Sequence, residues 1–259
     1  MADPSDIKAA QDGNKAALAR VVAAVQDRVH RLAMRMLANP DDAREATQDI
    51  LIRVITKLST FRGEAAFQTW VYRIATNYLL TVRKSTQGLT FEMFEADLHS
   101  GLSEAPAADD HVMLGELRQA CTMALLLCLD VNHRLAYVMG DILEMEQSEA
   151  ADLLGITPAN YRKRLSRARA DVHGFTARVC GLASPRAKCS CPRRLDAAQA
   201  LRRLPPAPAP DTPGYIELRD TVARVEADLK TITLQRATGR MACPTDLTKA
   251  VIAAVDPPG

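Results

Sequence analysis

Apolar residues return every three or four positions from about Ala16 to Lys84. One stretch carries Leu18, Val21, Val22, Val25, Val29 and Leu32, a second Ile50, Leu51, Val54, Ile55 and Leu58, and a third Trp70, Val71, Ile74 and Ala75. That spacing puts each set on one helical face, so residues 16–85 predict a compact helical domain. Asn39-Pro40-Asp41-Asp42 separates the first stretch from the second, because the residue before a proline avoids the helical region and Asp is a favoured N-cap. Phe61-Arg62-Gly63-Glu64 separates the second from the third. Between Thr86 and Leu114 the period lapses around Gly88, Gly101 and Pro106. Glu92, Glu95, Asp97, Glu104, Asp109 and Asp110 have no Lys or Arg among them there. Residues 86–114 therefore read as a flexible acidic linker. The helical period resumes over 115–178 on Leu117, Cys121, Leu125, Leu129, Leu135, Val138 and Ile142. Residues 179–259 read as an extension: a compact loop from Cys180 to Cys191, a short helix through Leu204 and a stiff spacer from Pro205 to Pro210. An amphipathic helix on Ile216, Val222, Val225 and Leu229 follows, then a shorter apolar one after Pro244.

Composition narrows the class. Aromatics make up only 4% of the 259 residues and no run of alternating β-branched residues occurs, so the fold class is all-α, with two small helical domains and a helical extension. The start, Met-Ala-Asp-Pro-Ser-Asp, has no basic and apolar leader, and the longest apolar run, Met123 to Leu129, is too short to span a bilayer. A cytoplasmic protein is expected. Six cysteines in that compartment point to reduced thiols or a metal site rather than a disulfide framework.

The most specific pattern lies between Ser148 and Arg169. Gly155 can take the left-handed conformation that ends a helix. Thr157 is placed to cap the next one and Pro158 to occupy its first position. Tyr161, Leu165, Ala168 and Val172 then recur on one face, to pack against Ala151, Leu154 and Ile156. This is a helix-turn-helix. From Thr157 to Arg178 there are six basic residues against Asp171 alone, in a chain whose net charge is only +2. A basic helix after a tight turn points to nucleic acid.

The two domains together, over roughly Ala17 to Ala177, resemble the extracytoplasmic-function sigma factors of bacterial RNA polymerase. Asp42 to Leu51 resembles the family's polymerase-clamp-binding helix, Phe67 to Asn77 its helix that melts and reads the minus-ten element, and Leu165-Ser166-Arg167-Ala168-Arg169 the end of its minus-thirty-five reader. The resemblance assigns polymerase binding to Asp42, Glu45, Gln48, Asp49 and Arg53. It assigns minus-ten contacts to Phe61, Arg62, Trp70, Arg73, Asn77, Arg83 and Lys84, with the Ser59–Ala65 loop placed to hold a flipped base. Minus-thirty-five contacts fall to Thr157, Asn160, Tyr161, Arg162, Lys163, Arg164, Arg167 and Arg169. Trapping unstacked bases calls for aromatic faces beside cations, which Trp70, Tyr72, Arg73 and Tyr78 supply; core packing is an equal reading of Trp70. Two positions depart from the pattern. Asp130-Val131 replaces a proline-containing turn, and Tyr161 stands where a small β-branched residue is usual, which predicts a shifted promoter preference.

The implied partners are core RNA polymerase and promoter DNA, with either an anti-sigma factor or the chain's own C-terminal tail as inhibitor, and no membrane. No cofactor is required and no enzymatic activity is implied. His173, Cys180, Cys189 and Cys191 offer a ligand set for a structural zinc, against free thiols or a thiol switch. Cys121 and Cys128 read as core residues. The competing functions are an autonomous helix-turn-helix regulator of duplex DNA, and a thiol or zinc enzyme built on the cysteine loop. For the enzyme, neither a general base nor a nucleotide-binding loop is evident.

Overall fold

A computed structural model describes residues 2–82, 88–104, 111–201, 214–237 and 241–255. Among them the regular structure is helical, apart from an isolated parallel bridge between Cys180 and Cys189. Among the described residues no helix is long and apolar enough to cross a membrane. The chain divides into two compact units.

The first unit holds residues 1–86, 148–157 and 241–259. Its centre is three helices, α2 (Lys15–Leu37), α3 (Pro40–Thr56) and α4 (Phe67–Val82), packed against one another. Asn14 caps α2 by accepting from the Ala17 amide at 2.9 Å. Val21, Val22, Val25, Val29 and Leu32 form its buried stripe. Ala38, at φ 53, turns the chain out of α2. Asn39, rather than either aspartate, caps α3 through the amides of Asp41 and Asp42, with Pro40 in the first turn. The two acids then sit where a helix N-terminus favours negative charge. Ile50, Val54 and Leu58 turn inward as the period predicts. A further helix, α1 (Pro4–Gln11), lays Ile7 and Ala10 on α2 and was not foreseen.

The chain's end also joins this unit. Helix α13 (Thr248–Val255) packs on α2 and α3, with Leu247 and Val251 buried. Gln26 clamps its approach, donating to Thr245 O at 3.2 Å and accepting from the Leu247 amide at 2.8 Å.

The second unit holds residues 87–147 and 158–240. It contains α5 (Phe91–His99), α6 (His111–Leu127), α7 (Val131–Tyr137) running into a π-turn at 138–142, α9 (Pro158–Val179) and three helices of the extension. Helix α8 (Gln147–Leu153) precedes α9 in the chain. Asp130 explains the missing proline turn: its carboxylate caps α7 through the Asn132 and His133 amides. Arg134, fully buried, donates to the carbonyls of Leu127 and Leu129 at 2.8 Å each and so satisfies the end of α6.

Residues 88–104 differ from the expected loose tether. Thr90 caps α5, and Phe94 stacks on Phe175 at 5.5 Å. The acids find cations far away in sequence: Glu95 pairs with Arg178 at 2.7 Å and Asp97 with buried Arg194 at 3.1 Å. The extension departs from expectation too. Helix α10 (Cys191–Ala200) stops before Leu204. The expected single helix from Ile216 to Leu229 is two, α11 (Tyr215–Arg224) and α12 (Ala227–Arg236), because Val225 is extended. Leu218, Val222 and Leu234 are buried in place of Ile216 and Leu229, which are exposed. The Pro205–Pro210 spacer lies outside the described residues.

Candidate nucleic-acid interface

In the second unit the interface is built on α9. The turn before it follows from Gly155, whose φ of +64° permits the left-handed cap. Ile156 N donates to Ala151 O and Gly155 N to Asp152 O, the pair of bonds that closes a Schellman motif. Tyr161, Leu165, Ala168 and Val172 are buried along one side of α9. Thr157, Asn160, Arg162, Lys163 and Arg167 are exposed, and Arg164 is half-exposed with Nη1 donating to Asn132 Oδ1 at 3.3 Å. Arg162, Lys163 and Arg167 form a cationic row open to solvent.

Two residues assigned to that row do other work. Tyr161 is fully buried and its hydroxyl donates to Ala136 O at 3.1 Å. It fits only because Gly140 faces it, where a Cβ would come within 2.7 Å of the hydroxyl. Burial pushes its pKa up to about 12. Tyr161 is a core residue, and the bulky side chain acts on the α7–α9 packing rather than on DNA. Arg169 is a fork around Asp141, at 2.6 and 2.9 Å, so its charge is spent neutralising a buried carboxylate.

In the first unit the interface is a groove beside α4. Phe61, Phe67 and Trp70 form an aromatic cluster with ring centroids 5.1–5.7 Å apart. Trp70 is half-buried, so one face packs and the other lines the groove. The groove comprises two hollows of about 470 Å³ each that share Thr60, Trp70 and Arg73. One is closed by Ser59, Arg62 and Glu64, the other by Lys57, Asn77 and Thr81. Lys57 was missed, although a cation one turn before the Ser59–Ala65 loop was a legible signal. Tyr72 is buried and does not reach this surface. Arg73 pairs with Asp152 at 2.5 Å, and Thr69 donates to Glu149, so acids of the same unit stand against α4. Arg83 and Lys84 lie outside the described residues.

Along α3, Asp42, Glu45 and Arg53 are exposed, while Gln48 and Asp49 are half-buried. Tyr78 of α4 donates to Asp49 Oδ2 at 2.6 Å, and the Arg53 guanidinium sits 4.9 Å over its ring. Burial, then this bond, raises the Tyr78 pKa to about 12. The acidic edge of α3 is thereby fixed to α4.

The four residues of the expected zinc set lie in the second unit. Among the described residues no three His, Cys, Asp or Glu side chains are placed to hold a metal ion, so His173, Cys180, Cys189 and Cys191 do not assemble into such a group. The three thiols and Cys121 instead line an apolar cavity, and burial raises the pKa of each.

Comparison with known proteins bears on both surfaces. Residues 21–88 match the Sigma-70 region 2 family and residues 119–172 match Sigma-70, region 4. The chain is 28% identical over 176 residues to the ECF RNA polymerase sigma factor SigW of Bacillus subtilis, covering 63% of this chain and 90% of that protein. It is 27% identical over 170 residues to the ECF RNA polymerase sigma-E factor of Escherichia coli K12, covering 63% and 88%. Among solved structures, CnrH in complex with the cytosolic domain of CnrY is similar in fold, with a TM-score of 0.51 and 22% identity over 68% of this chain and 96% of that one.

Proposed function

The chain belongs to the extracytoplasmic-function RNA polymerase sigma factors, which direct the polymerase to initiate transcription; from that premise we propose which of its residues do the work. Asp42, Glu45, Gln48, Asp49 and Arg53 of α3 form the contact with core RNA polymerase. Phe61, Arg62, Trp70, Arg73 and Asn77, joined by Lys57, hold the unstacked strand of the minus-ten element. Thr157, just before α9, and Asn160, Arg162, Lys163, Arg164 and Arg167 of α9 read the minus-thirty-five element in the major groove. All of this is binding and positioning in the cytoplasm, and the bond-making belongs to the polymerase.

The observation that carries the assignment is the groove around Trp70 and Arg73. A half-exposed indole flanked by a guanidinium, an asparagine and a lysine can stack a base and steady its phosphate, with stacking worth about 1–3 kcal/mol per base. An autonomous duplex reader has no use for such a groove. Arg73 is engaged by Asp152 in the chain alone, so promoter DNA must displace a carboxylate that occupies the place of a phosphate. Since the CnrH structure carries the cytosolic domain of CnrY, a protein inhibitor of comparable kind is a natural partner here.

The test is strand opening by reconstituted holoenzyme on a promoter bearing 2-aminopurine in the minus-ten element. Arg73→Ala is expected to leave polymerase association intact and to lower opening about tenfold. Asp42→Lys with Glu45→Lys is expected to abolish association instead. Unchanged opening by Arg73→Ala, or loss of association by it, overturns the assignment.

A further inference from the structure

We infer that the second unit carries a binding site for a small uncharged aromatic molecule with one hydrogen-bond donor, of the phenol or indole class. The site is the apolar cavity closed by the extension. The space open to a water-sized molecule is about 80 Å³, within a recess of about 810 Å³ that includes its mouth. Helices α5, α6 and α9 form one side, and the Cys180–Cys191 loop with α10, α11 and α12 forms the other. Native interiors leave few voids larger than a water molecule, which needs about 10–15 Å³ by this measure. A space several times larger, roofed by helices outside both sigma regions, is out of keeping with mere core packing.

The walls define the guest. Six leucines and the stacked pair Phe94 and Phe175 form the largest share of the lining, and a wall of this kind favours an apolar molecule over water. Cys180, Cys189 and Cys191 add soft sulfur, which makes favourable contacts with aromatic edges. Their burial keeps them protonated at neutral pH, so they are surfaces rather than nucleophiles. The buried cations of the wall are already engaged: Arg118 donates to Gly214 O, and Arg194 pairs with Asp97 and donates to Ser100 O. An anionic guest would gain little.

The donor requirement comes from Gln119. This side chain lines the cavity, is only 7% exposed, and its Oε1 has no hydrogen-bond partner among the described residues. A buried acceptor left unmet costs about 1–3 kcal/mol. A guest hydroxyl or ring N–H would meet it.

Titration of the full-length chain with phenol and with indole is expected to give saturable binding and a raised Tm. Toluene, which has the shape without the donor, should bind about fivefold more weakly, and benzoate should not bind. In Gln119→Leu the advantage of phenol over toluene is expected to vanish while toluene affinity holds. A readout on the unaltered chain guards against misfolding of the variant: saturating phenol should slow iodoacetamide alkylation of Cys180, Cys189 and Cys191 about threefold, with Cys128 and Cys243 unaffected. Absence of saturable binding by phenol and indole overturns the site, as does binding that leaves those three thiols as reactive as before. Retention of the full phenol preference in Gln119→Leu overturns the role of Gln119.

Discussion

Arg167 and Arg169 are two positions apart on α9 and identical in a reading of charge, yet only Arg167 faces solvent without a carboxylate partner among the described residues. Arg167→Ala is expected to weaken duplex binding and reduce the salt slope of binding by about one, with stability changed by less than about 0.5 kcal/mol. Arg169→Ala is expected to do the reverse. It strands buried Asp141 and costs about 1–3 kcal/mol of stability in denaturant unfolding, while the salt slope of binding stays unchanged. Sequence could not separate the two, because the partner of Arg169 lies 28 residues upstream on another element. Tyr161 was half legible: its period placed it on the buried face, while its departure from the family pattern invited a DNA role that full burial removes. His30 carries a pH prediction. Its ring nitrogen meets Thr47 Oγ1 at 3.2 Å inside the first unit, and burial holds its pKa below the ordinary 6.5. The unfolded chain therefore binds this proton more readily than the folded one, so stability is full above about pH 6.5 and falls as the pH drops below it. His30→Gln should flatten that part of the unfolding profile, by at most about 1.4 kcal/mol per pH unit.

At the level of elements, the features that sequence revealed were those specified locally. The Schellman turn at Gly155, the proline opening α9 and the stripes of α2, α3 and α4 each rest on residues within a few positions of one another. Gly155→Ala keeps the same space, since nothing lies within 4 Å of the added carbon, but must hold φ +64°. A loss of about 1–2 kcal/mol is expected in thermal unfolding. Helix α5 escaped notice because its stability is borrowed. Its nine residues are too few to persist alone, and Phe94, Glu95 and Asp97 find Phe175, Arg178 and Arg194 more than 80 residues downstream. Phe94→Ala should therefore release α5, costing about 3–5 kcal/mol, whereas Glu95→Ala breaks an exposed pair and should cost less than about 1 kcal/mol. The split between α11 and α12 was likewise hidden, since Ile216, Val222, Val225 and Leu229 keep helical spacing across the break although Val222 alone of the four is buried.

Across the whole molecule the sequence order of the parts and their assembly differ. The extension reads as one appendage after the second domain, but its last helix, α13, belongs to the first unit, held by Gln26 and by burial of Leu247 and Val251. Such a join is invisible to periodicity because the contacts span more than 200 residues. Removing residues 241–259 should expose those two side chains' sites on α2 and α3, at about 1.5–3 kcal/mol for each side chain, and the loss should appear in the unfolding of the first unit. The central claim remains that one chain supplies a polymerase contact, a strand-trapping groove and a duplex reader. It is tested most directly by run-off transcription with purified core RNA polymerase and this chain on fragments of genomic DNA. The account predicts transcripts with a defined start that vanish in Asp42→Lys with Glu45→Lys and fall steeply in Arg73→Ala. Failure to start transcription at any defined position, with the chain folded and present in excess, would contradict it.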